Sequence, residues 1–61
     1  MLIKVQELQV GDKLVSDKSS KHILITDIQL QEDGVVKVTL ENGFVEWFTE
    51  NKIVIAHRPV Q

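Results

Sequence analysis

Residues 35–49, VVKVTLENGFVEWFT, decide the fold, because they hold two strand-forming segments separated by an Asn-Gly pair. Valine, threonine and aromatic residues favour extended backbone, and apolar residues alternate with polar ones along the first segment. Asn42-Gly43 is the strongest turn signal in the chain, since it suits a two-residue type I′ turn with positive φ at both positions. The stretch therefore predicts an antiparallel β-hairpin.

The register of this hairpin has two alternatives, which place the aromatic residues differently. A two-residue loop pairs Val38 with Trp47, so that Trp47 points to the core and both Phe44 and Phe48 lie on the other, polar face. The predicted core face then comprises Val36, Val38, Leu40, Val45 and Trp47. A three-residue loop with a bulge turns Phe44 and Phe48 inward and leaves Trp47 partly exposed. In either register an aromatic side chain of the hairpin stays accessible.

The rest of the chain shows the same period-two pattern, interrupted by short polar turns. Further extended segments are predicted over residues 2–6, 13–15, 22–31 and 53–57. The parity of the apolar positions shifts around Thr26-Asp27, which predicts a bend or bulge that lets one strand serve two sides of a barrel. The pattern predicts an all-β fold, either a small five-stranded barrel or a strongly bent antiparallel sheet.

Length and composition restrict the class of protein. The 61 residues suffice for one domain, 1–61, with a thin core. An enclosed pocket of about 300 Å³ would occupy much of that core's volume. The absence of cysteine excludes disulfides and thiolate zinc sites, which favours the cytoplasm. The net charge of −2 gives no general attraction to nucleic acids or membranes, and no apolar run approaches the ~18 residues of a membrane span.

One segment near the start resembles a known class of domain. Glu7-Leu8-Gln9-Val10-Gly11-Asp12-Lys13-Leu14 resembles a phrase found in SH3-like small barrels, in Hint-type domains and in many short bacterial and phage-encoded proteins. Residues 38–43, VTLENG, are similar to the strand and turn that follow in such barrels. The resemblance implies a five-stranded SH3-like barrel and no particular activity, because neither segment is a catalytic or binding motif. Hint domains carry a nucleophilic cysteine or serine at a defined start, and this chain has no cysteine, so self-processing is set aside. A bacterial or phage accessory protein would suit this length.

The residue types that support catalysis are present but scattered. The two histidines, His22 and His57, could join Asp17 or Asp27 around a metal, but their spacing matches no ligand motif. Three serines near His22 lie in a polar loop that offers no fixed base, and the carboxylates fall mostly in turns. We therefore expect a non-enzymatic protein without catalytic residues, metal or cofactor.

The aromatic residues provide the main candidate for binding. Phe44, Trp47 and Phe48 are all the aromatic residues of the chain and lie within five positions of one another. Together with Glu46 they form a predicted partner-binding site, since exposed aromatic side chains dominate interface energetics. Use of all three rings in the core is the alternative. The favoured function is a small protein-interaction or regulatory module with an unidentified protein partner, and self-association is its simplest form.

The alternative function is nucleic-acid binding by a small barrel. Lys13, Lys18, Lys21 and His22 fall around one polar loop and could contact phosphates beside an aromatic ring. The balanced charge of the remaining chain argues against this function, and so does Glu46, which lies among the rings that would stack on bases.

Overall fold

The described residues form six antiparallel strands in one sheet, in the order β1-β6-β2-β3-β4-β5. The computed structural model describes residues 1–15 and 21–58. The strands are β1 (Leu2–Lys4), β2 (Lys13–Val15), β3 (His22–Leu30), β4 (Val35–Leu40), β5 (Val45–Thr49) and β6 (Ile53–His57). Single 3₁₀ turns cover Val5–Glu7 and Glu32–Gly34. The prediction of an all-β fold is confirmed.

The described residues form six strands rather than the five of the predicted barrel, and each of the six extended segments predicted from the sequence, including residues 13–15, contains one strand. Leu14 pairs with Ile23 of β3 on one side and with Ala56 of β6 on the other. Within the described residues the sheet does not close into a barrel, since β1 and β5 each pair with one neighbour only. The first 3₁₀ turn approaches the β5–β6 turn instead, where the Val5 N–H donates to the Lys52 carbonyl at 2.8 Å.

Strand β3 contains a bulge and joins the two halves of the sheet. One half comprises β1, β6 and β2, and the other comprises β4 and β5. Its register with β4 shifts between Ile25, which faces Leu40, and Asp27, which faces Thr39. Thr26 falls between the two pairs, and its hydroxyl donates to the Thr39 carbonyl at 3.3 Å. The extra residue lets Ile25 and Ile28 both face the interior, as the parity shift in the sequence predicts.

The core is small and draws on every part of the sheet except β2 and β5. Its buried apolar residues are Ile3, Val5, Leu8, Ile25, Val36, Val38, Leu40 and Ala56. Phe48 and Leu14 are half-buried against this cluster. Such a thin core leaves many apolar side chains accessible, which bears directly on the site described below.

The β4–β5 hairpin adopts the three-residue alternative, and the two-residue type I′ prediction is wrong. The Gly43 N–H donates to the Leu40 carbonyl, and the Leu40 N–H donates to the Phe44 carbonyl. Gly43 has a φ of 88° and Asn42 has a negative φ, which is the pattern of a loop closed by a glycine bulge. Lys37 therefore faces Trp47, and Val38 faces Glu46. This register removes Trp47 and Val45 from the predicted core face.

Candidate interaction site

One edge of β5 is free in the described part of the chain. The opposite edge pairs with β4, and the Leu40–Phe44 hydrogen bond identifies which backbone groups are used there. Because hydrogen-bonded and non-hydrogen-bonded pairs alternate in an antiparallel ladder, the N–H and C=O groups of Val45 and Trp47 point toward the free edge. The N–H of Thr49 points the same way, while its C=O accepts the Lys52 N–H at 3.0 Å. The groups of Val45 and Trp47 and the Thr49 N–H are therefore available to a further strand.

The predicted partner-binding residues lie on two faces of β5. Phe44, Glu46 and Phe48 share the face that continues from the core, whereas Trp47 lies on the outer face beside Lys37. The Phe44 side chain is 67% exposed although this register was expected to turn it inward, because it stands at the end of the hairpin beyond the core cluster. Only Phe48 packs against the core. The four side chains therefore lie on both faces of the sheet along its β5 edge and do not form a single surface on one face.

The outer face of β5 presents a large exposed ring. Trp47 is 59% exposed, and its neighbour Val45 is partly exposed as well. The Lys37 Nζ lies 5.8 Å from the centroid of the Trp47 ring, which is within the range of a cation–π interaction. This contact restricts the orientation of the indole while leaving most of its surface in water.

An apolar groove opens between β5 and β6. Its volume is about 660 Å³, which is within the size range of ligand-binding clefts. Its apolar walls include Leu2, Leu14, Ile23, Phe44, Phe48 and Ile53. Two side chains of opposite charge, Glu46 and Lys52, also line it. The groove is open to solvent, so it differs from the enclosed pocket that a thin core disfavours.

The residues of the predicted nucleic-acid surface are only partly brought together. Lys13 and His22 lie on the outer face of β2 and β3, and Lys21 is exposed next to His22. His57 joins them, because it faces Lys13 across the β2–β6 pair and stacks on His22 with ring centroids 5.8 Å apart. Five residues of the predicted polar loop lie outside the described residues: Ser16, Asp17, Lys18, Ser19 and Ser20.

Among residues 1–15 and 21–58, no three histidine, aspartate or glutamate side chains are close enough to hold a metal ion. The same residues contain no helix with the length and hydropathy needed to cross a membrane.

Asp12 is a buried carboxylate whose role was not predicted from the sequence. The carboxylates were expected to fall mostly in turns, without burial, but Asp12 is 3% exposed and accepts hydrogen bonds from Arg58 at 2.9 Å to Oδ1 and 2.8 Å to Oδ2. The Gln9 N–H also donates to Oδ2, and the Arg58 guanidinium reaches the Glu7 carbonyl at 3.1 Å. The hydrogen bonds from Arg58 hold the pKa of Asp12 below its usual value despite burial. The pair ties the turn before β2 to the residue after β6.

No protein-family model matches this chain, and no curated protein or solved structure matches it significantly. The β5 edge and the outer face of β2 are therefore the features from which a function is inferred.

Proposed function

We propose that the chain is a small, non-enzymatic protein-interaction or regulatory module that binds a protein partner along β5 through Phe44, Glu46, Trp47 and Phe48. The observation that carries this proposal is the exposure of two large aromatic side chains at one edge of the sheet, Trp47 on β5 and Phe44 directly before it. Aromatic residues are enriched among the residues that contribute most to interface affinity. The neighbouring groove adds apolar surface that a partner could cover.

The division of these residues between two faces favours a partner that approaches the edge. A strand added beside β5 would hydrogen-bond to Val45 and Trp47, and its side chains would alternate between the two faces. It would contact Phe44 and Phe48 on one face and Trp47 on the other. Backbone pairing would supply affinity, and Glu46 would add selectivity through its charge.

The state of Asp12 supports a non-enzymatic role. It is the buried ionisable side chain in the described ranges, and burial is one common means by which the pKa of a catalytic acid or base is shifted. Both of its oxygens already accept hydrogen bonds, and its pKa is shifted down, away from neutrality. These features fit a structural ion pair.

We also propose a relation to SH3-like small barrels, as an open variant with six strands. The long β3, bent at Thr26 and shared by both halves of the sheet, supports this relation, together with the resemblance of residues 7–14 and 38–43. A bacterial or phage accessory protein acting in the cytoplasm would fit the length and the absence of cysteine.

The double substitution Phe44→Ala and Trp47→Ala tests the interaction site. We expect it to weaken partner binding at least tenfold, because each exposed ring of a binding hot spot contributes about 1–2 kcal/mol. The measurement is quantitative affinity capture from source-organism extract, followed by titration of the recovered partner. Leu30→Ala is the matched control, since Leu30 is 70% exposed on β3, away from the β5 edge.

Loss of the same protein from the double variant, with retention by Leu30→Ala, supports the proposal. Equal capture by wild type and double variant, with both folded by circular dichroism, would reject β5 as the binding site.

Nucleic-acid binding is a second candidate, and the structure offers one observation in its favour. His57 extends the predicted group of Lys13, Lys21 and His22 into a patch on the outer face, with the two imidazoles stacked. We expect any binding to a labelled single-stranded oligonucleotide to weaken steeply with salt, and Lys13→Glu to weaken it further. Titration at low and rising salt measures both effects. Binding that is insensitive to salt and to this substitution would contradict the second candidate.

A further inference from the structure

We propose that the partner at the β5 edge is a second copy of this chain, paired antiparallel through β5 in a register centred on Trp47. This inference rests on the proposed function, because it identifies the partner of the same site. Three observations lead to it: the weaker protection of β5 compared with β1, the outward backbone groups and the placement of Glu46. The symmetry of the resulting pair follows from them.

The two free edges of the sheet differ in how well they are protected against pairing. Strand β1 is three residues long and carries Lys4, and both short length and lysine discourage edge pairing. Strand β5 is five residues long, VEWFT, contains neither lysine nor proline, and has Glu46 as its single charged residue. A longer edge strand with one charge is less protected against pairing with another chain than a three-residue strand with a lysine. Of the two edges in the described residues, β5 is therefore the one suited to a partner.

The directions of the backbone groups limit the register to a few choices. An antiparallel partner must place its own outward-pointing residues opposite Val45 and Trp47. For two copies of β5, the pairing can therefore be centred on Glu46, on Trp47 or on Phe48. Centring on Glu46 sets two carboxylates directly opposite each other, which is destabilising. Centring on Phe48 leaves Val45 unpaired and sets Glu46 opposite the partner's Glu50.

The register centred on Trp47 avoids these conflicts. Every residue of β5 then has a counterpart, and Glu46 lies opposite the partner's Phe48. On the outer face Trp47 lies opposite the partner's Trp47, which forms a cross-strand aromatic pair and covers the two rings. Lys37 remains beside the indole, where it already lies 5.8 Å from the ring centroid.

The two-fold symmetry of this pairing limits the assembly to two chains. Strand β5 meets the same strand of the partner about a two-fold axis, so each chain uses its β5 edge once. Pairing of β5 with the partner's β1 would leave one free edge of each kind and would extend into filaments. A closed dimer with a continuous twelve-stranded sheet is the expected product, given the six strands that residues 1–15 and 21–58 of each chain form.

Engineered cysteines test the register, since the chain has no cysteine of its own. In the proposed register Val45 lies opposite the partner's Thr49, at a Cα–Cα distance of about 5.5 Å that a disulfide can span. The double variant Val45→Cys/Thr49→Cys should form a covalent dimer under mild oxidation. The two positions are about 13 Å apart within one strand, too far for an internal bridge. Neither single variant should cross-link, because each cysteine would face a native residue.

The mass in solution tests dimerisation without cysteines. We expect the wild-type mass from light scattering to rise with concentration toward twice the 7.0 kDa of one chain. Trp47→Lys should remain at the monomer mass over the same range, because it sets two like charges opposite each other. Leu30→Lys is the matched control and should dimerise like the wild type.

The outcomes separate this inference from the proposed function. A dimer lost in Trp47→Lys, with cross-linking in the double-cysteine variant alone, supports the inference. A wild-type chain that stays monomeric at all concentrations overturns it, and so does a dimer that cross-links through either single cysteine. Capture of a different protein that depends on Phe44 and Trp47 would then leave the proposed function standing. If the cysteine variants do not fold, the wild-type and Trp47→Lys masses decide.

Discussion

Asp12→Ala is expected to lower the free energy of unfolding by about 2–3 kcal/mol, because it removes the acceptor of two charged hydrogen bonds and one backbone hydrogen bond. Arg58 is partly exposed, so its freed charge regains hydration and the loss stays below that of a fully buried pair. A domain of 61 residues has a total stability of about 3–9 kcal/mol, so the variant is expected to approach the unfolding threshold.

Urea denaturation followed by circular dichroism measures this loss. Tryptophan fluorescence is less suitable, since Trp47 is already exposed in the folded chain. Asp27→Ala, which removes an exposed carboxylate from β3, is the matched control and should change stability by less than about 0.5 kcal/mol. Equal effects of the two substitutions would contradict the structural role of Asp12.

The contribution of Asp12 to stability depends on pH in a defined direction. Hydrogen bonds from Arg58 lower its pKa in the folded chain below the ordinary 3.8, so the unfolded chain binds the proton more readily. The stabilisation is complete above the ordinary value and is lost as pH falls through the lowered folded pKa. The stability difference between wild type and Asp12→Ala should therefore shrink as pH decreases below 3.8. A difference that stays constant across this range would contradict the pKa assignment.

Ile25→Ala is expected to have the other large effect, a loss of about 3–4 kcal/mol. Ile25 is 0% exposed and lies at the bulge where β3 passes from β2 to β4, so its removal leaves a cavity between the two halves of the sheet. In so thin a core few neighbours can move to fill that space. The same denaturation experiment measures the loss.

Leu30→Ala is the control for Ile25→Ala, since it truncates an exposed apolar residue of the same strand. Its expected change is below about 0.5 kcal/mol. Similar losses for the two variants would mean that β3 is not buried at Ile25.

The features of the fold that depend on local pattern could be predicted from the sequence. The parity shift at Thr26-Asp27 predicted the bulge. Side chains of a strand alternate between two faces, so one extra residue changes which sequence positions carry the apolar residues. The hairpin was also predicted, but its register was left open between two loops. Asn42 accepts a hydrogen bond from the Phe44 N–H through its side chain at 3.0 Å, which stabilises the longer loop.

Phe48 packs against the core and Trp47 is exposed, and the alternation of apolar and polar residues does not distinguish the two rings. Both residues could supply an apolar ring, but burial of Trp47 would also bury an indole N–H that needs an acceptor. Phe48 has no polar atom in its side chain and packs against the core without that cost. The candidate site was therefore predicted in its residues but not in its division between two faces.

Contacts between distant parts of the chain could not be predicted from the sequence. Asp12 and Arg58 are 46 positions apart, and an aspartate after glycine ordinarily indicates a solvated turn. The stacking of His22 on His57 likewise arises only when β2 brings β3 and β6 together. Such pairs depend on the sheet order, which no local spacing reveals.

The sharing of β3 between both halves of the sheet also determines how the molecule opens. Gly11 and Asp12 hydrogen-bond to the backbone of Ile25, while the next residues of β3 pair with β4. If one half of the sheet detached, β3 would lose its hydrogen bonds to that half, so we expect neither half to be stable alone. We therefore expect unfolding to be a single cooperative event, in which the amide of Ile25 exchanges its proton with solvent only on global unfolding.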